Sequence, residues 1–283
     1  MKSRIISLLS VFVILAAGCQ SAGQTELSSL AIPTPIPTPV AAREGWELAW
    51  HDEFDGKTIN RSDWTFDLGG GGWGNGEAQV YTDLPQNARQ EEGILVIEAR
   101  KEPNEQGGFE FTSARLKTQG LKTFQYGRIE ARLKVPAGAG FWPAFWMLGS
   151  NIDQVGWPDS GEIDIMEYVG KEPNLIMGTL HGPGYSGALG LTSRSVQDYP
   201  IADEFHTYAV EWDQDQIRWF LDDVEYHTLT RSDVGEERWV FDQPFFLILN
   251  LAVGGTLGGF ISQDTVFPAN VYADYVRVYQ KIS

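Results

Sequence analysis

The strongest constraint on what this chain can fold into is a period of two. "ILVIEAR" (94–100), "SARLKT" (113–118), "GRIEARLKV" (127–135), "GEIDIME" (161–167), "HTYAVEW" (206–212), "QIRWFLD" (216–222), "PFFLILNLAV" (244–253) and "YADYVRVYQ" (272–280) are all short. They are rich in β-branched and aromatic residues and are separated by Gly, Pro, Asn or Asp turns. Long helical patterns are absent. Many short strands without interleaved helices predict an all-β fold: a two-sheet antiparallel β-sandwich of jelly-roll type, curved enough to offer a concave face. At 283 residues the chain is long enough for one large core.

The amino terminus stands outside that pattern. "MKSRIISLLSVFVILAAGC" places Lys2 and Arg4 ahead of an apolar run from Ile5 to Ala17, too short to span a bilayer comfortably and shaped like a secretory leader. Its end, "LAAGC", resembles a bacterial lipoprotein box, although Ala16 stands where that box usually carries Leu. The organisation expected is a leader over 1–18, a lipidated Cys19 as membrane anchor, and a Pro/Thr/Ser-rich tether over 19–44. The folded domain occupies 45–283. An ordinary leader cut nearby, giving a secreted product, is the alternative. Cys19 is the sole cysteine, so no disulfide framework or thiolate metal site follows. Either way the protein is expected to be exported to a bacterial cell envelope or beyond it, and to be monomeric.

A formal charge of −17 disfavours nucleic acid as a partner and suits a neutral ligand. Aromatic residues are abundant, and "GFWPAFWMLG" (140–149) supplies more Trp than one core layer needs. Some of these rings are therefore expected on a binding surface.

Chemistry concentrates in "GEIDIMEYVG" (161–170), with acids at 162, 164 and 167. In a regular strand Glu162 and Asp164 share a face while Glu167 points away. A β-bulge after Asp164 would reset the alternation and return Glu167 to the face of the other two. Glu162 and Glu167 would then lie about four strand steps apart. Leaning side chains could bring their carboxyls within the roughly 5–5.5 Å of a retaining glycosidase, with one acid as nucleophile and the other as proton donor. Acids clustered on a half-buried strand are costly unless their protonation states are split for chemistry.

Taken together with its neighbouring motifs, this segment makes the sequence resemble glycoside hydrolase family 16 in its laminarinase-like branch. The resemblance rests on "GEIDIMEYVG", "GFWPAFWML", "TSARLKT" (112–118) and "LILNLAVGG" (247–255), which occur in the family's order. It implies a concanavalin A-like β-jelly roll with an open cleft that hydrolyses internal β-1,3-glucosidic bonds of a β-glucan with retention. Met166 favours the bulged, laminarinase-like type over lichenases. By matching position, Glu162 is the nucleophile, Asp164 the auxiliary acid and Glu167 the acid/base, and no cofactor is implied for catalysis.

The same resemblance implies sugar contacts. Trp142, Trp146 and Trp157 flank the cleavage point, and "GGWGNGEAQVYT" (71–82) holds the non-reducing side of the chain through Asn75 and Glu77. Arg115 is either a donor to sugar hydroxyls or a surface residue. His181 either contacts the leaving-group sugar or is a satisfied structural histidine. Asn250, in an otherwise apolar strand, is expected to face the groove. Leu257 in "GGTLGG" replaces a Trp of many relatives, which weakens one stacking subsite. Glu53, Gly93 and Asp274 match a structural Ca²⁺ site of the family, or else the two acids cap turns. Mixed-linkage glucan, agarose, or glucan binding without catalysis are the rival readings on the same fold.

Overall fold

The computed structural model describes residues 43–282, so the expected leader (1–18), Cys19 and nearly all of the tether (19–44) lie outside the described residues. Among the described residues the chain forms seventeen strands. The first six are β1 (Trp46–Asp52), β2 (Thr65–Phe66), β3 (Gln79–Tyr81), β4 (Ala88–Glu91), β5 (Ile94–Pro103) and β6 (Phe109–Ser113). Then come β7 (Arg115–Lys117), β8 (Gly127–Lys134), β9 (Phe141–Gly149), β10 (Glu162–Tyr168), β11 (Leu175–His181) and β12 (Leu191–Val196). The last five are β13 (His206–Trp212), β14 (Gln216–Leu221), β15 (Val224–Thr230), β16 (Phe245–Val253) and β17 (Ala269–Lys281). Two single-turn helices, α1 (Ile152–Val155) and α2 (Gly255–Gly258), sit in loops.

The strands make two sheets. One has ten strands, in the order β15-β14-β13-β8-β17-β5-β6-β3, with β1 also pairing with β17 and β4 with β5. The other has seven, in the order β12-β11-β10-β9-β16-β7-β2. The pairing is antiparallel except between β3 and β6. This is the two-sheet antiparallel sandwich that the period-two pattern predicts.

Alternation explains how the layers meet. Phe145 and Met147 of β9, Ile163 of β10 and Leu247, Leu249 and Leu251 of β16 turn inward onto Ile97, Ile129, Val210, Trp219 and Val276 of the larger sheet. Each such aliphatic side chain taken out of water contributes about 1.5–3 kcal/mol. The opposite face of the smaller sheet carries a second, smaller apolar cluster, in which Leu148, Phe246 and Ile248 pack with Trp146 and with Ile152 of α1. Both faces of β16 are thus covered, which is why its sequence reads as a continuous apolar run broken by Asn250.

Among the strands outside the period-two segments, β1, β11, β12 and β15 have physical reasons for their weaker signal. β12 and β15 are sheet edges, half exposed, so fewer of their positions need apolar residues. β11 is buried along nearly its whole length but is interrupted by Gly178. β1 alternates half-buried with exposed residues along β17.

Candidate active site

The central strand β10 begins in regular register with β11: Glu162 lies opposite His181, Ile163 opposite Leu180, and Asp164 opposite Thr179. The next aligned pair is Glu167 with Met177, so Ile165 and Met166 together oppose Gly178 alone. Toward β9 the register shifts between Asp164 and Met166. Two residues against one is a β-bulge. Ile165 and Met166 are both buried in the core between the sheets. The extra residue is thereby absorbed, and Glu167 returns to the face of Glu162 and Asp164.

On that face each carboxylate has its own partners. Trp157 Nε1 donates to Glu162 Oε2 at 2.8 Å. Trp142 Nε1 donates to Glu167 Oε1 at 3.1 Å, and Thr179 Oγ1 donates to Glu167 Oε2 at 3.4 Å. His181 Nε2 stands 3.3 Å from Asp164 Oδ2 and 3.9 Å from Glu162 Oε1, with its ring centroid 6.1 Å from that of Trp157. Among the described residues no lysine or arginine pairs with the three acids. Glu162, Asp164 and His181 could in principle ligate a metal, since their donor atoms lie within 4.8 Å of one another. The indole and hydroxyl donors on Glu162 and Glu167 are instead those of an acid/base site.

Electrostatics follow from this enclosure. Burial raises the protonation point of Glu162 well above the ordinary carboxylate range, and the neighbouring Asp164 raises it further. Asp164 is pushed well up by burial and then by Glu167, partly offset by a hydrogen bond with Glu162. Glu167 is raised by burial, against which His181, Trp142 and Thr179 favour its ionised form. Three acids held this close titrate as a group, so protons are retained in the cleft above the ordinary carboxylate range.

Beyond the acids, the face continues as one polar network. Trp146 Nε1 donates to Asn250 Oδ1 at 2.7 Å, Asn250 Nδ2 to the Tyr81 hydroxyl at 3.1 Å, and that hydroxyl to Glu77 Oε2 at 3.2 Å. Glu77 also accepts from Gln79 at 2.6 Å and from Asn75 at 3.2 Å. The Arg115 guanidinium lies over Trp146 at 4.6 Å and over Trp73 at 5.2 Å, and its Nε is 3.0 Å from Asp67. Arg115 is therefore stacked between indoles and not a free surface cation. Leu257 and Trp142 both pack against the apolar cluster of Val169, Leu175 and Met177.

A family model described as glycosyl hydrolases family 16 matches residues 75–276, most of the chain and all of this face from Asn75 to Asn250. The chain belongs to glycosyl hydrolases family 16. It is 47% identical over 246 residues to a beta-glucanase from Rhodothermus marinus, covering 83% of this chain and 85% of that protein. The laminarinase catalytic domain from Thermotoga maritima superposes with a TM-score of 0.80 at 45% identity, over 85% of this chain and 100% of that one. The endo-beta-1,3-glucanase from Pyrococcus furiosus gives 0.79 at 47% identity, over 84% of this chain and 95% of that one.

Within this family 16 domain, the expected cleft residues Glu162, Asp164, Glu167, Asn75, Glu77, Arg115, Trp142, Trp146, Trp157, His181 and Asn250 fall into two linked groups, one around the acids and one around Glu77. The expected calcium ligands do not form a comparable set. Both Glu53 oxygens face Arg277, at 2.9 and 2.7 Å, and Asp274 pairs with Arg132 at 2.8 Å, while Gly93 lies in the β4–β5 turn. Carboxylates committed to arginines do not offer a calcium cage in this arrangement.

Four participants are absent from the sequence reading. Gln79 and Tyr81 follow Glu77 at a spacing of two, so alternation alone would have found them; Thr179 precedes His181 by two and shares its face, but its meeting with Glu167 depends on how β11 is set against β10. Trp73 sits in the glycine-rich loop, where no periodicity applies.

Proposed function

We propose that this chain is a retaining endo-β-1,3-glucanase acting on laminarin-type β-glucans, with Glu162 as nucleophile and Glu167 as acid/base. The observation that carries the reading is the bulge: it brings an otherwise misdirected third acid onto a strand face bordered by indoles, with no arginine to neutralise it.

In the first half-reaction the Glu162 carboxylate attacks the anomeric carbon while Glu167 delivers its proton to the departing glycosidic oxygen, leaving a covalent glycosyl ester. Trp142 can only donate, so in the acid form Glu167 keeps Oε1 as the accepting oxygen and carries its proton on Oε2. The Thr179 hydroxyl beside Oε2 can accept from the acid form and donate to the carboxylate, which serves both states of a group that must cycle. In the second half-reaction Glu167 takes a proton from water, the hydroxide attacks the same carbon, and Glu162 departs as carboxylate. Asp164, between the two and facing His181, is assigned the role of adjusting both through shared charge. Carboxylates and water balance both steps.

Trp142 and Trp146 flank the small Ala144, which lies opposite Glu167, so two indoles border the acid and suit stacking on sugar faces. The Asn75–Glu77 network continues from Trp146 through Asn250 and suits the hydroxyls of the preceding sugars. The lipid anchor at Cys19 and the tether belong to the same proposal: an enzyme held at a bacterial cell envelope and reaching polymer outside it, or a secreted one if Cys19 is not lipidated.

The test is product analysis from laminarin, lichenan and agarose, with the palmitate content of the mature chain measured alongside. Ladders of short β-1,3-oligosaccharides with retained anomeric configuration are expected. Binding of laminarin without cleavage would leave a recognition module, and cleavage of agarose alone would keep the mechanism and overturn the substrate.

A further inference from the structure

Resting on the assignment of Glu167 as acid/base, we propose that Trp219 is a positioning residue for it: from the opposite sheet its indole N–H holds the bulge that turns Glu167 into the cleft.

Trp219 lies in β14, in the middle of the core, with no exposed surface. A buried indole N–H is costly unless it finds an acceptor. Its acceptor is the main-chain carbonyl of Asp164, at 2.8 Å, across the full thickness of the sandwich. Asp164 is the last residue of β10 in regular register before the shift. A bulge disrupts the ladder locally, and an orphaned carbonyl inside a core would oppose its formation. Trp219 supplies a donor to that carbonyl at the edge of the shift.

Gly178 completes the arrangement. It is the single residue opposite the bulged pair, and a Cβ added to it would lie 2.4 Å from Trp219 Cδ1 and 2.5 Å from Nε1. The indole therefore occupies the volume a side chain on β11 would fill. On its other side the ring packs against His227, with centroids 5.1 Å apart. Bulge, glycine and indole come from three strands and fit only together.

The location decides what the contact does. Glu162 and Asp164 precede the shift and lie in regular register with His181 and Thr179. Glu167 follows it. Loosening the Asp164 carbonyl therefore displaces the proton donor relative to a nucleophile that stays in place, whereas a general weakening of the core would affect both.

The experiment compares kcat/KM for laminarin with that for a 2,4-dinitrophenyl β-glycoside, whose leaving group departs without a proton. It uses Trp219→Phe and a chain carrying the benzothiophene analogue of tryptophan at 219, which keeps the shape and lacks the N–H. Laminarin hydrolysis is expected to fall about 10- to 100-fold in both, the size of loss that small misplacement of a catalytic group produces. The activated glycoside should change by less than about threefold. Gly178→Ala should give the same split by displacing the indole. Equal losses on both substrates, or full laminarin activity in the analogue-bearing chain, would overturn the proposal. If Glu167→Gln itself shows no such split and no rescue by azide, the fault lies instead in the assignment of Glu167.

Discussion

Two clusters of carboxylates sit on central strands of this sandwich, one on each sheet, and they are treated in opposite ways. On the larger sheet Arg128, almost wholly buried, reaches Glu130 at 2.8 Å, Glu211 at 3.3 Å and Asp223 at 2.6 Å. Arg43 adds contacts to Glu130 and Asp223, and Arg218 pairs with Glu211. On the smaller sheet Glu162, Asp164 and Glu167 have indole N–H groups, a hydroxyl and one histidine. The first arrangement fixes charge; the second leaves it unsettled. A fold that only needs to accommodate acids can surround them with guanidinium groups, which pair with them and fix the side chains in place. Acids that must pass a proton back and forth need partners that tolerate either state.

The largest effects are expected at the two glutamates of the cleft. Glu162→Gln and Glu167→Gln are each expected to lower kcat on laminarin by about 10⁴-fold or more, since each removes a covalent or proton-transfer step. Azide should restore activity toward an activated glycoside in the Glu167 variant alone, giving a product of retained configuration. Next in size is the other cluster. Arg128→Met leaves Glu130 buried without its closest cation, a defect of about 3–5 kcal/mol. Thermal unfolding should show Tm lowered by about 10 °C, with kcat of the folded fraction unchanged. A large loss of kcat in Arg128→Met would mean that the two clusters are not separate in function.

The sequence carried these two clusters unequally. Period two places Glu162 with Asp164 and puts Arg128 on one face with Glu130, so local geometry was legible in both. The bulge was legible only as a conflict, because Glu167 stood on the wrong side and the alternation demanded an extra residue to correct it. The partners on neighbouring strands were not legible. Register between β10 and β11 decides that Thr179 meets Glu167, and no local pattern in either segment encodes it. Trp219 lay furthest from sight, since a core indole whose N–H crosses to the opposite sheet reads as one more apolar residue of β14. The ion pairs around the expected calcium ligands were hidden for a related reason: Glu53 and Asp274 match by position, and arginines from elsewhere in the fold, Arg277 and Arg132, reach them.

The electrostatic side of the comparison sharpens through pH. Burial and the neighbouring Glu167 raise the protonation point of Asp164 in the folded protein well above its ordinary 3.8. Below that value Asp164 is protonated in folded and unfolded chains alike and costs nothing. As pH rises, the unfolded chain releases the proton first, and the folded state loses stability until its own protonation point is passed. Asp164→Asn never ionises. It should therefore melt a few degrees above the wild type at pH 7, by about 2–4 °C for each kcal/mol recovered, with the gap closing toward pH 4. Melting curves at the two pH values, read beside a reduced kcat, would show stability and activity moving in opposite directions at one residue. A variant less stable than the wild type at pH 7 would mean that ionised Asp164 is held by favourable contacts, as the acids around Arg128 are.

The smallest effect is expected where the cleft borrows the fully partnered style of the other cluster. Tyr81 joins Asn250 to Glu77, donating to one and accepting from the other, and its burial raises its own protonation point so far that it stays a donor at any working pH. Tyr81→Phe removes both bonds. Glu77 keeps Gln79 and Asn75, so its charge stays hydrogen-bonded; Asn250 keeps Trp146 on its oxygen but loses the acceptor for its amide. The net cost should be about 1 kcal/mol of stability. Because the network is joined to Trp146 and makes no bond to Glu167, the proposed proton donor, KM for laminarin should rise a few-fold while kcat holds. Equal effects on kcat and KM would place this network in contact with the reacting sugar itself, and the boundary between the part of the cleft that holds the polymer and the part that cuts it would have to move past Tyr81.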